Sequence, residues 1–344
     1  MTDRIRPVAG LRLGPESGEA AARLVDEATR VRGSAQRAVD LARRISSAPR
    51  PGEGRTIELW GLLARIASAD LTAARVVEAH LDAVSILAQA GVPGRADAGW
   101  GVYAAEAAGL RLEATEDADG WQLTGTKPWC SVAGLLDSAL ITAHTPAGRR
   151  LFSIDLADRG VAVEQGAWFA RGLSDLTSGP IHLAAVRAAP VGDTGWYLTR
   201  PGFSWGAIGV AACWFGGAVA VAHALLRQTQ HRDPDQLALA HIAALDAMIH
   251  ANRVLLEAAA EEVDAGRAQG DDGRILAARV RAGVARLVEE TIHRVGHALG
   301  PAPLSLDEEH ARRVADLQLY VRQHHAERDD ASLGTAVLRA EMQW

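Results

Sequence analysis

Side chains able to do chemistry are few and unevenly placed in these 344 residues. Trp129, Cys130 and Ser131 follow Gly125-Thr126-Lys127-Pro128, which sets an aromatic plane, a thiol and a hydroxyl side by side. The two cysteines, Cys130 and Cys213, lie far apart without Cys-x-x-Cys spacing, so neither a disulfide framework nor a zinc site is indicated. A reducing, cytoplasmic compartment fits, and Cys130 reads as a small buried residue with no nearby feature that would lower its thiol pKa. His293 and His297 stand at i and i+4, as a metal pair on one helix face does. No third ligand at motif spacing accompanies them, and an exposed face is expected. His324 and His325 close another helical stretch; an imidazole titrating near roughly pH 6.5 can act as acid or base. The plainer alternative makes them partly exposed residues at a helix end beside Glu327, Arg328 and Asp329. Gly-x-Gly-x-x-Gly, Walker and Gly-x-Ser-x-Gly patterns do not occur, which withdraws support from Rossmann, phosphate-loop and hydrolase-elbow chemistry.

The elements that must position these residues change character twice along the chain. Apolar residues recur at three- and four-residue spacing from Glu19 to about Arg44, as in one amphipathic helix. After a Pro- and Gly-containing linker, Ile57 to Ala90 reads as helix in two or three pieces, with Asp70 able to cap the piece starting at Leu71. Four glycines and Pro93 between Gly91 and Gly101 mark a boundary. Beyond it, a hairpin is expected across Leu110 to Leu123, turned by Asp117-Ala118-Asp119-Gly120. Further strands are expected at Ser138 to Ala143, Arg150 to Ile154, Val161 to Glu164 and Pro180 to Val186, at the spacing of a small barrel or sandwich. Helical pattern returns at Phe203 to Gln230, Asp235 to Ala265, Gly273 to Ala298 and Glu308 to Arg328, with loops short enough for an antiparallel bundle. The expected organisation is α+β and multidomain: an N-terminal helical domain (1–97), a small central β-barrel (98–195) and a C-terminal four-helix bundle (196–344).

Composition narrows the partners. A net charge of −6 gives no field to attract a polyanion, so neither nucleic acid nor an acidic membrane surface is expected to bind. Gly202 to Ala222 is nearly continuous apolar sequence of bilayer-spanning length. About half of it is Ala and Gly, which favours a helix buried among other helices over a membrane span.

The run from Gly120 to Ser131, GWQLTGTKPWCS, resembles the acyl-CoA dehydrogenase superfamily, where Gly-Thr-Lys leads into an aromatic and a hydroxyl residue against the flavin. Gly172-Leu173-Ser174 with Ile181-His182-Leu183 and Val186-Arg187-Ala188 is similar to that family's closing strand, and Gly202-Phe203 to the opening of its apolar helix. The resemblance implies FAD as cofactor, with Trp129 on one face of the ring and the Ser131 hydroxyl or amide near N5. Read from the residues alone, the favoured reading makes Trp129 a core aromatic and Ser131 a turn residue. The family's base is a carboxylate beyond an Arg-Asp pair. Here no carboxylate follows Asp316 up to His325, and His324 falls at that place. The pyrophosphate contact is reduced to Arg227 or Arg232 without Phe-Gly, and the Gly-Gly pair becomes Gly296-His297-Ala298, where a β-carbon obstructs approach to phosphate. The loop Tyr103 to Gly109 lacks the family's hydroxyl donor to the ring. The activity implied is a flavin-dependent oxidoreductase acting on an acyl thioester such as an acyl-CoA, or on a similar small molecule, as a homodimer or homotetramer. A flavin monooxygenase using reduced flavin as co-substrate, and a member without catalysis serving in binding or assembly, are the other readings.

Overall fold

The computed structural model describes residues 11–14, 18–45, 47–166, 168–230 and 233–340. Four helices come first: α1 (Glu19–Ala28), α2 (Ala35–Arg43), α3 (Thr56–Ala69) and α4 (Leu71–Gln89). The single helix expected from Glu19 to Arg44 is two helices. Arg32 and Gly33 adopt φ of 49° and 74°, which breaks the helix, and Ser34 restarts it by accepting the Arg37 N–H. Asp70 caps α4 as expected, with Oδ1 accepting the Ala73 N–H at 2.9 Å; Oδ2 takes the Gly33 N–H at 2.9 Å and fastens the broken helix to the cap.

Seven strands follow: β1 (Trp100–Tyr103), β2 (Leu112–Asp117), β3 (Gly120–Lys127), β4 (Ser138–Thr145), β5 (Gly148–Asp155), β6 (Val161–Val163) and β7 (Ile181–Val191). Their order is β1-β4-β2-β3-β7-β5, and pairing of β5 back onto β4 closes a small barrel, with β6 beside β7. The expected hairpin forms with Asp117 opposite Gly120. β1 was hidden in the glycine-rich boundary. It pairs in parallel with β4, a partner over thirty residues away, so local pattern carries no trace of it.

The C-terminal part contains α5 (Trp196–Thr199), α6 (Pro201–Thr229), α7 (Gln236–Asp264), α8 (Gly270–Leu299), α9 (Ala302–Leu306), α10 (Glu308–Tyr320), a 3-10 turn at Val321–Gln323, and α11 (Glu327–Arg339). The helix expected to run to Arg328 ends at Tyr320, because His324 turns extended and Ala326 takes φ 48°, which sends α11 back against α8. Helix α6 is long and apolar enough to cross a membrane by length and composition, and 89% of its most apolar stretch is buried inside the protein. At Gly216 an added Cβ would lie 2.0 Å from the Ala64 carbonyl oxygen, so glycine lets α6 press its backbone against α3. One apolar cluster runs from α1 through the barrel to α10, with a smaller one between the end of α4 and β1.

A seam joins barrel to bundle. An added Cβ at Gly172 would fall 2.0 Å from the Ala315 carbonyl oxygen, so only glycine passes there. The next residue, Leu173, holds φ 48° and donates its N–H to Asp316 of α10. Burial raises the Asp316 carboxyl to about 6 against that bond.

Candidate active site

The corner after β3 is built by backbone pairing and carries strain. Cys130 N–H donates to the Gly179 carbonyl at 3.0 Å and Val132 N–H to that of Thr177 at 2.8 Å. Between and beside these anchors Trp129 and Val132 sit at φ 59° and 49°, a conformation that costs a bulky residue roughly 1–2 kcal/mol. The strain holds the Trp129 indole outward, 59% exposed, while Cys130 is buried and its thiol is pushed up to about 12 by burial. The Ser131 and Ser178 hydroxyls meet at 2.8 Å, and Ser178 also donates to the Leu176 carbonyl at 3.0 Å. The proton between the two hydroxyls therefore belongs to Ser131. Its oxygen keeps lone pairs for the cleft, and its amide N–H meets no acceptor among the described residues. The Tyr103 hydroxyl donates to the Ser131 carbonyl at 3.0 Å. A narrow cleft of about 10 Å³, no more than a water's room, lies between β1 and α4, with Arg75, Ala79, Tyr103, Ser131 and Leu176 among its walls.

One turn before the corner, Lys127 is 1% exposed and fully engaged. Its ammonium donates to Glu106 Oε1 at 2.7 Å and to the Thr142 carbonyl and hydroxyl at 2.9 and 2.8 Å. Burial lowers its pKa, with Glu106 opposing. Glu106 also reaches His144 and Arg149, both at 3.2 Å. The loop that lacks a hydroxyl donor for the ring thus supplies the carboxylate that lets a lysine be buried.

Behind the cleft lies a polar cluster that sequence reasoning missed. Glu78 on α4 is 7% exposed, and burial raises its carboxyl to about 7 although Arg75 pulls the other way. The Arg75 contact is 3.3 Å, long for a charge-assisted bond. Arg75 also lies over the Tyr320 ring at 5.9 Å. The Tyr320 hydroxyl, against Glu78 and Cys213, is buried without a well-formed hydrogen bond, as is the Trp214 Nε1 nearby. Arg281 of α8 stacks on Trp214 at 4.6 Å and donates to the Gln323 carbonyl at 2.7 Å. The signal in the sequence was Arg75, Glu78 and Asp82 recurring along one face of an otherwise apolar helix.

His324 is 6% exposed, not partly open to solvent as the plainer alternative had it. Burial lowers its pKa, so the ring is neutral near pH 7; its Nε2 lies 4.0 Å from Asp330 Oδ1. Its charged surroundings are Asp329, Arg281, Asp330 and Arg286, on the α8 and α11 side, none of which lines the cleft at Ser131. Arg281 connects the two places, because its charge acts on both His324 and Glu78. His293 and His297 are exposed with rings 4.0 Å apart, and no metal-binding group of three ligands occurs among the described residues. Arg232 lies outside the described residues.

Residues 193–322 match the family described as Acyl-CoA dehydrogenase, C-terminal domain. That match covers the C-terminal part of the chain, and over nearly its whole length the chain is similar in fold to solved acyl-CoA dehydrogenase-like structures. FMN-bound TdsC from Paenibacillus sp. A11-2 shares the fold at TM-score 0.78 and 17% identity, covering 94% of this chain and 97% of that one. KijD3, solved with FMN and a dTDP-linked amino-keto sugar, gives TM-score 0.76 at 20% identity over 95% and 96%. Butyryl-CoA dehydrogenase from Megasphaera elsdenii gives 0.77 at 16% over 95% and 100%. No curated protein sequence matches. The barrel between helical parts, expected from the order of elements, is the acyl-CoA dehydrogenase-like fold.

Proposed function

We propose that the protein is a flavin-dependent oxidoreductase whose ring site is the Trp129–Ser131 corner. The observation that carries this is the outward-facing indole, held by a strained backbone beside an unengaged amide N–H at the mouth of the cleft. A packed core aromatic needs neither the strain nor the exposure. The residues offer a flavin ring a flat apolar face at Trp129, a backbone donor and the Ser131 lone pairs, on the outer side of the corner, because the cleft beneath measures about 10 Å³ and admits no more than a water. When bound, a flavin supplies hydride acceptance or oxygen activation. The protein's own part is to stack the ring on Trp129, hydrogen-bond it from Ser131, and hold protons nearby. His324, neutral and buried, and Glu78, poised near 7, are the groups on either side of Arg281 that could take one up.

The expected FAD and the FMN of the TdsC and KijD3 structures differ by an adenylate half. Asp233 and Asp235 line the groove between the ends of α6 and α8 with His241 and His297, so a diphosphate there meets carboxylates. We therefore favour a mononucleotide, with FAD through Arg232 as the alternative. An acyl thioester or similar small molecule is the proposed substrate, in a cytoplasmic homo-oligomer. A monooxygenase that uses reduced flavin is the second reading, motivated by the fold shared with TdsC, a dibenzothiophene monooxygenase. Titrating purified protein with FMN, FAD and their reduced forms, read by flavin fluorescence, decides among these. Trp129→Ala should weaken ring binding about threefold to tenfold with thermal stability unchanged. Absence of any flavin binding to the wild type would overturn the proposal and leave the non-catalytic reading.

A further inference from the structure

We infer that Thr126, His182 and Glu164 form a second reactive site, on the outer face of the barrel, where the Thr126 hydroxyl accepts an acyl group from an activated ester or thioester. The three stand in a row across β3, β7 and the end of β6. Thr126 Oγ1 lies 3.0 Å from His182 Nδ1, and His182 Nε2 lies 3.0 Å from Glu164 Oε2. A carboxylate only accepts, so the ring proton sits on Nε2 and is donated to Glu164. The neutral ring then has a bare lone pair on Nδ1, and the Thr126 hydroxyl donates to it. A hydroxyl, a base, and a carboxylate that orients the base are the parts of an activated nucleophile. None of the three lines the cleft at Ser131, and the flavin reading leaves them unused.

A β-bulge sets this alignment. Leu123 pairs with Val186 but Gly125 with Leu183, so Ala184 and Ala185 of β7 stand opposite Thr124 alone. Ala185 holds φ 53°. Without the extra residue Thr126 would pair with Leu183; with it Thr126 pairs with His182, while Ile181 and Leu183 are buried. The bulge is secured by its own N–H groups: Ala184 donates to the Gly160 carbonyl at 2.9 Å and Ala185 to the Thr124 hydroxyl at 3.1 Å. Opposite it, an added Cβ at Gly125 would collide with the Arg111 carbonyl oxygen, which accepts the Thr126 N–H at 3.0 Å. The backbone carrying the hydroxyl is thus pinned. The His182 and Glu164 side chains are 51% and 44% exposed, so a reagent reaches the group without needing a pocket.

In the transfer, Thr126 Oγ1 attacks the acyl carbon while its proton passes to His182 Nδ1. The bond from that carbon to the sulfur or oxygen of the leaving group breaks. The leaving group takes the electron pair and then the proton, and an ester remains on Thr126. Competing nucleophiles are few, because Lys127 is the one lysine in the sequence and lies buried, as do both cysteines. The test incubates the full chain, without flavin, with p-nitrophenyl acetate or phenyl thioacetate at about pH 8, and locates the acetyl group by peptide mass spectrometry. Acetyl should appear on Thr126, and Thr126→Ser should be labelled at the same position. His182→Gln should lower labelling there about tenfold or more, and Glu164→Gln about threefold, with little change in thermal unfolding. No acetyl on wild-type Thr126 would overturn the inference and leave the three side chains as a surface staple. Labelling of His182→Gln equal to wild type would also overturn it. If that variant does not fold, Glu164→Gln takes its place under the same criterion. Because flavin is absent from the assay, failure here leaves the flavin reading standing, and failure to bind flavin leaves this site standing.

Discussion

Two buried charged groups, Lys127 and Glu78, are treated in opposite ways. Around Lys127 each ammonium proton finds an acceptor between 2.7 and 2.9 Å, and the partner Glu106 is shared with His144 and Arg149. Around Glu78 the ion pair is long, the Tyr320 hydroxyl against it lacks a well-formed hydrogen bond, and the indole N–H groups of Trp60 and Trp214 have no partner among the described residues. The first arrangement is complete as it stands and builds the barrel. The second leaves free energy uncollected, which a protein retains where a ligand or a reacting group will later supply the missing partner.

The largest expected effect tests the complete cluster. Lys127→Ala strands the Thr142 acceptors and opens a hole, and should cost about 3 kcal/mol in urea denaturation. A loss below about 1 kcal/mol would mean that the bonds around Lys127 are replaceable by water, and the contrast with Glu78 would vanish. The next effect is opposite in sign. Glu78 rises from 4.5 to about 7 on folding, so the folded state prefers the protonated carboxyl. Its stabilising contribution is whole below pH 4.5 and is lost as pH climbs through 7. Glu78→Gln should remove that decline and leave the variant more stable than wild type at pH 8, on the order of 2 kcal/mol. Parallel stability–pH curves for the two proteins would mean that Glu78 is well solvated. The smallest effect sharpens the contrast between two buried tryptophans. Trp205→Phe loses a made hydrogen bond and Trp60→Phe loses none, so the former should cost about 1 kcal/mol more by thermal unfolding. Equal losses would assign a hidden acceptor to Trp60.

What could be read from the sequence divides along the same line between local and distant causes. The β2–β3 hairpin, the Asp70 cap and the buried α6 follow from neighbours in the chain, and each is where its residues predicted. Strand β1 needed β4, and the end of α10 at Tyr320 needed α8 to receive α11. The Trp129–Ser131 corner was legible as a motif, though the left-handed backbone that turns the indole outward depends on residues 177–179. Glu78 was visible only as a carboxylate on an apolar helix, because its meaning lies in Tyr320 and Arg281, more than two hundred residues away. His324 was singled out by position, and its burial is set by elements that no local pattern joins to it.

The contact of Gly172 with Ala315 has a mechanical corollary. From Asp316 the chain of bonds passes to Leu173, on to Leu176, and across Thr177 to Val132, so the loop bearing the indole is moored to α10 of the bundle. A barrel cut free of α10 would keep its strands and lose its grip on Trp129. A tilt of that helix would be passed along these bonds to the corner that bears the indole.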